Sequence, residues 1–134
     1  MSVSRVRDAM VSEPATLDAS ASAMEAGQRL AHPDVRAVLV CQQGLLVGVV
    51  TRKTLVRLIV AAGRDPRVAV LREIAEPPHL TIDADLPLDE AFRVLEERDL
   101  ERVPVVERGR LVGVLSRSGV RRRLAEDEPP ETEL

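Results

Sequence analysis

Aromatic side chains are almost missing: the 134 residues include one Phe, no Trp and no Tyr. A core must therefore be small and aliphatic. Single-strand binding by stacking bases on aromatic rings is almost excluded, so nucleic acid is not expected as a partner. The single cysteine, Cys41, rules out a disulfide framework and any multi-cysteine zinc site. There is no 18-residue apolar run and no signal-peptide pattern at the N-terminus. The expectation is a soluble cytoplasmic protein without a membrane partner. Lysine is scarce too: 18 of the 19 basic residues are Arg, and only Lys53 is Lys. Arginine suits phosphate oxygens, although a GC-rich coding habit gives the same composition.

What is present is enough to fold. Hydrophobic residues make up 45% of the chain, and a chain this long hides roughly two-thirds of its unfolded surface. The net charge is −3, but Glu126–Leu134 hold five acids and no base. Without them the remainder carries +2. The body is mildly basic, and the tail, 126–134 with Pro129 and Pro130, reads as disordered.

The strongest signal is a repeat at an offset of 65 residues without a gap. Thr16, Asp18 and Ala19 fall on Thr81, Asp83 and Ala84. Glu25, Ala26 and Leu30 fall on Glu90, Ala91 and Leu95. Leu46-Val-Gly-Val49 falls on Leu111-Val-Gly-Val114, and Arg52 on Arg117. Residues 1–66 form a first repeat with its linker, and 67–125 a second.

Each repeat reads as strand, helix, strand, strand, helix. Ala15–Leu17 and His79–Ile82 are short apolar strands. Ser22 with Glu25 makes a capping box for a helix to about Ala31. Its counterpart runs from Pro87 to Arg98, with Leu88, Ala91, Phe92 and Leu95 on one face. Hairpins follow: Ala37–Cys41 with Leu45–Val50, and Val103–Val106 with Leu111–Leu115. Gly44 and Gly109 supply the positive φ of their turns. Strands this apolar suit a sheet covered on both faces. Thr51 and Ser116 sit at N-cap positions before helices 52–62 and 117–125. Val6–Met10 and Val70–Ile74 are short lead-in helices.

These stretches resemble a pair of CBS domains, a Bateman module. The carriers are Val6-Arg-Asp-Ala-Met10, Thr16-Leu17, Leu46-Val-Gly-Val-Val-Thr51, Val103-Pro-Val-Val106 and Leu111-Val-Gly-Val-Leu-Ser116, over about residues 5–125. The resemblance implies an α+β fold of α/β-type repeats: tandem CBS domains, two β-α-β-β-α units packed by a pseudo-twofold with two clefts between them. It implies a regulatory rather than catalytic role. It also implies adenosine ligands such as AMP, ADP, ATP or S-adenosylmethionine as regulators, with no required cofactor. Pairing into a homodimer, a flat four-domain disc, is implied as well.

In each repeat a Gly, two apolar residues and a hydroxyl residue at a helix start make a corner suited to an anion. Thr51 with Arg52, and Ser116 with Arg117, are the candidates for phosphate. The plainer reading is that Thr51 and Ser116 only cap helices. Three residues on, where the family usually has an Asp for ribose, stand Thr54 and Gly119. Thr54 offers one neutral hydrogen bond and Gly119 none, a loss worth about 1.5–3 kcal/mol of binding. The first repeat is thus the better nucleoside site. An adenine would lie against Thr16, Leu17, Val38 and Leu39, or against Thr81, Ile82, Val103 and Pro104. Those residues serve equally as core strands.

Cys41 reads as a buried inert thiol, and His32 and His79 as turn or surface histidines. Arg121–Arg123 with Arg117 form a basic cluster: a solvated face, a dimer contact or a polyphosphate clamp. No nucleophile–base set, metal set or phosphate-binding loop is present, so no enzyme is expected. Two functions remain. One is a sensor of an adenosine-containing ligand. The other is a ligand-free dimerisation or protein-interaction module acting on an effector protein in trans.

Overall fold

The computed structural model describes residues 4–12 and 14–127. In chain order the elements are α1 (Val6–Ala9), β1 (Val11–Ser12), β2 (Thr16–Asp18), α2 (Ala23–Leu30), β3 (Ala37–Gln42), β4 (Leu45–Thr51), α3 (Arg52–Leu55), α4 (Leu71–Ile74), β5 (Ile82–Asp83), α5 (Leu88–Arg98), β6 (Arg102–Glu107), β7 (Arg110–Ser116) and α6 (Arg117–Asp127). No helix among the described residues is long and apolar enough to cross a membrane.

Local chemistry sets most of these boundaries. The Ser22 hydroxyl accepts from the Glu25 N–H at 3.2 Å, and the Glu25 carboxylate accepts from the Ser22 N–H at 3.3 Å, which opens α2. Pro87 stands just before α5, where a missing N–H costs nothing. Asp99 ends that helix in the left-handed region at φ 52°. Both hairpin turns place two residues at positive φ: Gln43 (54°) with Gly44 (82°), and Arg108 (54°) with Gly109 (80°). The turns are therefore mirror-image two-residue turns, whose twist matches that of the strands they join. Glycine relieves only the second position of each.

The chain forms two compact units that do not coincide with the two sequence repeats. Among the described residues, the contiguous unit holds 15–79 and 109–111; the split unit holds 4–12, 14, 80–108 and 112–127. In the contiguous unit β2 runs parallel to β3, and β3 antiparallel to β4. The lead-in helix α4 docks here: Leu71 and Arg72 donate N–H bonds to the Ala21 and Ala19 carbonyls, each at 2.9 Å. The core gathers Ala23, Ala26, Leu30, Val38, Val40, Val50 and Ile59 around Leu71 and Ile74. In the split unit β5 is parallel to β6, β6 neighbours β7, and β1 pairs antiparallel with β7. Here α1 takes the equivalent place, with Val6 N–H on the Leu86 carbonyl at 3.0 Å and Arg7 N–H on Ala84 at 2.9 Å. Val6, Leu88, Ala91, Leu95, Val103, Val105, Leu115 and Val120 make its core. Each lead-in segment thus completes the core of the other repeat's strands and helices.

Four details depart from the expectations drawn from the sequence. The strand expected at His79–Ile82 begins only at Ile82, so Thr81 precedes it. The strands are not covered on both faces within the chain, since Leu45 and Val47 stay 44% and 43% exposed. The helix after Thr51 is α-helical only to Leu55; Val56–Val60 widen into a π turn, closed by Ala61 N–H on the Val56 carbonyl at 2.8 Å. Finally, α6 continues through Glu126 and Asp127. The rest of the expected tail, 128–134, lies outside the described residues.

Candidate functional site

Two corners occupy equivalent places in the two units. Each lies where β4 or β7 hands over to a helix, beside the segment that follows a lead-in helix. In the contiguous unit Val49 pairs with Glu76, and in the split unit Val114 pairs with Val11. Gly48 and Gly113 make this approach possible. A Cβ on Gly48 would come within 2.7 Å of the Ala75 Cβ, and one on Gly113 within 2.8 Å of the Val11 carbonyl.

The corner of the contiguous unit is closed upon itself. The Thr54 N–H donates to the Thr51 hydroxyl at 3.2 Å, and the Thr51 N–H to the Thr54 hydroxyl at 3.1 Å. The two hydroxyl oxygens lie 3.0 Å apart. Thr54 is 1% exposed, and it donates its proton to the Glu76 Oε1 at 2.9 Å. The hydroxyls therefore run in series, Thr51 to Thr54 to Glu76, and each bond polarises the next. Arg57 adds an Nη2 contact to the same Oε1 at 3.3 Å. The other oxygen of Glu76, Oε2, has no donor among the described residues, and the side chain is 42% exposed. Arg52, expected at this corner, turns instead to the His32 carbonyl at 2.9 Å.

The corner of the split unit is barer. The Ser116 hydroxyl accepts from the Gly119 N–H at 3.0 Å, and no side chain extends from Gly119. Where the other corner has Glu76, this one has Val11, which is 69% exposed. Arg117 is drawn onto an acidic cradle: Asp99 at 3.3 Å, Glu96 at 3.6 Å and Glu101 at 3.6 Å. The hydrogen bond that Arg117 donates to Asp99, with the nearby Glu96 and Glu101 charges, lifts the guanidinium further above its ordinary range.

The expected adenine wall is also assembled in the contiguous unit. Thr16 lies opposite Leu39, and Leu17 opposite Val40, across β2 and β3. Val38 lies opposite Val50, and Ala37 opposite Thr51, across β3 and β4. Val38 and Leu39 are buried, and Thr16 is exposed. In the split unit Ile82 lies opposite Val105, Val103 is buried, Pro104 is half-buried and Thr81 is exposed.

Sequence reasoning passed over Glu76 and Arg57. The repeat itself held the signal for Glu76: at the 65-residue offset it falls on Val11, a carboxylate set against a valine at matching strand positions. Burial raises the Cys41 thiol above its usual range, and the nearby Asp18 charge adds to that. Among the described residues no three His, Cys, Asp or Glu side chains converge as a metal site.

Comparison with known proteins agrees with this architecture. Hypoxic response protein 1 of Mycobacterium tuberculosis is 33% identical over 102 residues, covering 75% of this chain and 71% of that protein. A crystal structure of Hypoxic Response Protein I with two coordinated zinc ions has a TM-score of 0.75 at 29% identity, covering 90% of this chain and 98% of the other. A crystal structure of CBSX2 in complex with AMP has a TM-score of 0.73 at 26% identity, covering 91% and 96%. The family model for the CBS domain matches residues 6–61 and again 71–126. With both halves of the chain matched in tandem, the protein belongs to the CBS domain family.

Proposed function

We propose that this chain is a non-catalytic regulatory module that binds an adenosine-containing ligand, of the AMP, ADP, ATP or S-adenosylmethionine kind, at the corner of the contiguous unit. The observation that carries this reading is the asymmetry of the corners. One has two threonine hydroxyls, a half-exposed carboxylate and a guanidinium next to the apolar β2–β3 wall. The other offers a serine, a glycine and a valine. The similarity to CBSX2, whose structure holds AMP, supports the ligand class. The output is regulatory, passed to an effector protein in trans from a homodimer.

A thermal melt against a panel of AMP, ADP, ATP and S-adenosylmethionine tests the reading. It must be followed by circular dichroism, because no Trp or Tyr reports unfolding. A ligand at about 100 times its Kd stabilises by about 2.7 kcal/mol, a shift of several degrees. The expected result is a shift from at least one compound that is lost in Thr51→Ala. A flat response across the panel overturns the sensor reading.

The second reading, a ligand-free interaction module, has its own observation. Val56, Val60 and Val68 are 56%, 72% and 74% exposed in the contiguous unit. Burying them would favour association. Light scattering that finds a dimer, combined with a flat melt panel, selects this reading.

A further inference from the structure

We infer that Glu76 is the group that recognises the vicinal hydroxyls of a ribose, and that Thr54 positions it rather than touching the ligand. This rests on the adenosine reading above and names the residue that would discriminate within it. Thr54 cannot take the role itself. It is 1% exposed, its oxygen already accepts the Thr51 N–H at 3.1 Å, and its one proton goes to Glu76 at 2.9 Å. What Thr54 does is hold the carboxylate.

With Oε1 bound by Thr54 and Arg57, the Glu76 side chain is oriented before any ligand arrives, and Oε2 has no donor among the described residues. A carboxylate fixed in this way loses little freedom on binding. Its chemistry selects the donor. The Arg57 guanidinium, 3.3 Å from Oε1, offsets much of the attraction the carboxylate would have for an ammonium group. A neutral O–H donor is not repelled, and hydrogen bonds from hydroxyls to a carboxylate are short and strong. Two adjacent hydroxyls match an acceptor with an open oxygen, which is the pattern of a ribose 2′,3′-diol. Arg57 also offsets the carboxylate charge, so a phosphate on the same ligand is not driven off. The second corner has Val11 at the matching position and can make no such contact. The inference therefore predicts one ribose-selective site per chain.

The test is calorimetry with AMP and ATP and with their 2′-deoxy and 3′-deoxy counterparts. The wild-type chain should bind the ribonucleotides about ten- to a hundredfold more tightly than either deoxy analogue. Glu76→Gln keeps an acceptor for Thr54 but removes the charge. It should weaken ribonucleotide binding by that factor, leave deoxy binding nearly unchanged, and so erase the preference. Arg57→Gln removes one of the two holds on Oε1 and should reduce the preference much less than Glu76→Gln does. Should Glu76→Gln fail to fold, Glu76→Asp gives the same readout, with the preference reduced rather than erased.

Three outcomes overturn the inference and leave adenosine binding standing: a wild-type chain without the preference, a preference that survives in Glu76→Gln, or one lost equally in Arg57→Gln. A chain that binds none of these nucleotides overturns both the inference and the reading beneath it.

Discussion

The two corners share a backbone plan and differ in what fills it. Offset by 65 residues, Thr51 becomes Ser116, Thr54 becomes Gly119, Arg57 becomes Arg122 and Glu76 becomes Val11. The first set ties a buried hydroxyl to a charged pair. The second keeps only a helix cap. The glycines that let strand and lead-in approach, Gly48 and Gly113, are present in both. A duplicated fold can thus keep its architecture while one copy of a polar site is emptied, because the backbone contacts do not depend on the polar side chains.

The comparison can be broken most forcefully at the lead-ins. Leu71 and Val6 are both fully buried in their units. Leu71→Ala should cost about 2–5 kcal/mol. Val6→Ala removes less and should cost about 1.5–3 kcal/mol. Urea melts followed by circular dichroism measure both, and equal costs would show that the smaller residue is packed more tightly than its size implies.

The next test lies at the glycines. Gly48→Ala and Gly113→Ala should each destabilise by about 1–3 kcal/mol, since the new methyl meets atoms already in place. Adding Ala75→Gly should restore part of the loss at Gly48 and nothing at Gly113, where Met10 and the Val11 carbonyl are the obstacles. An additive double variant would break this account.

The polar difference itself is tested by removing one hydroxyl from each corner. Thr54→Val leaves the Thr51 N–H without a partner and Glu76 with Arg57 alone, and should cost about 1–3 kcal/mol. Ser116→Ala removes only a cap, at about 1 kcal/mol. The same melts decide. A larger loss at Ser116 would reverse the ranking of the corners.

The smallest effect is chemical. Cys41 has its pKa raised by burial in the folded chain, so its thiolate is scarcer near neutral pH than that of an ordinary cysteine. Reaction with a thiolate-specific reagent should be slow near neutrality, accelerate as pH rises, and reach the ordinary rate once the chain is unfolded. Equal rates in the folded and unfolded chain at neutral pH would refute the shift.

Much of the fold was legible because its signals are local. Ser22 and Glu25 announce a helix start, Leu88, Ala91 and Leu95 a buried face, and Gly44 and Gly109 their turns. The doubled Leu-Val-Gly-Val motif located both corners. The hidden parts depend on residues far apart in the chain. The sequence offers Arg117 as a phosphate candidate, and nothing near it in sequence discloses Asp99, Glu96 and Glu101 converging on it. The sequence offers Thr54 as a ligand contact, and its bond to Glu76, 22 residues on, is a pairing that only the folded chain reveals. The π turn at Val56–Val60 left no pattern at all, since its apolar spacing also fits an ordinary helix.

The exchange of lead-in helices also sets an order of events during synthesis. The contiguous unit is built mainly from one stretch, 15–79, and its strands and lead-in emerge together. The split unit needs the start of the chain and its later half at once. Val6 finds its partners at Leu86 and beyond, about 80 residues further on, which at ~5–20 residues per second is a wait of roughly 4–16 s. Through that interval α1 stays undocked, and the main stretch of the contiguous unit is complete before the partners of α1 are. Helix α1, made before the strands it serves, is thus among the last elements to find its place.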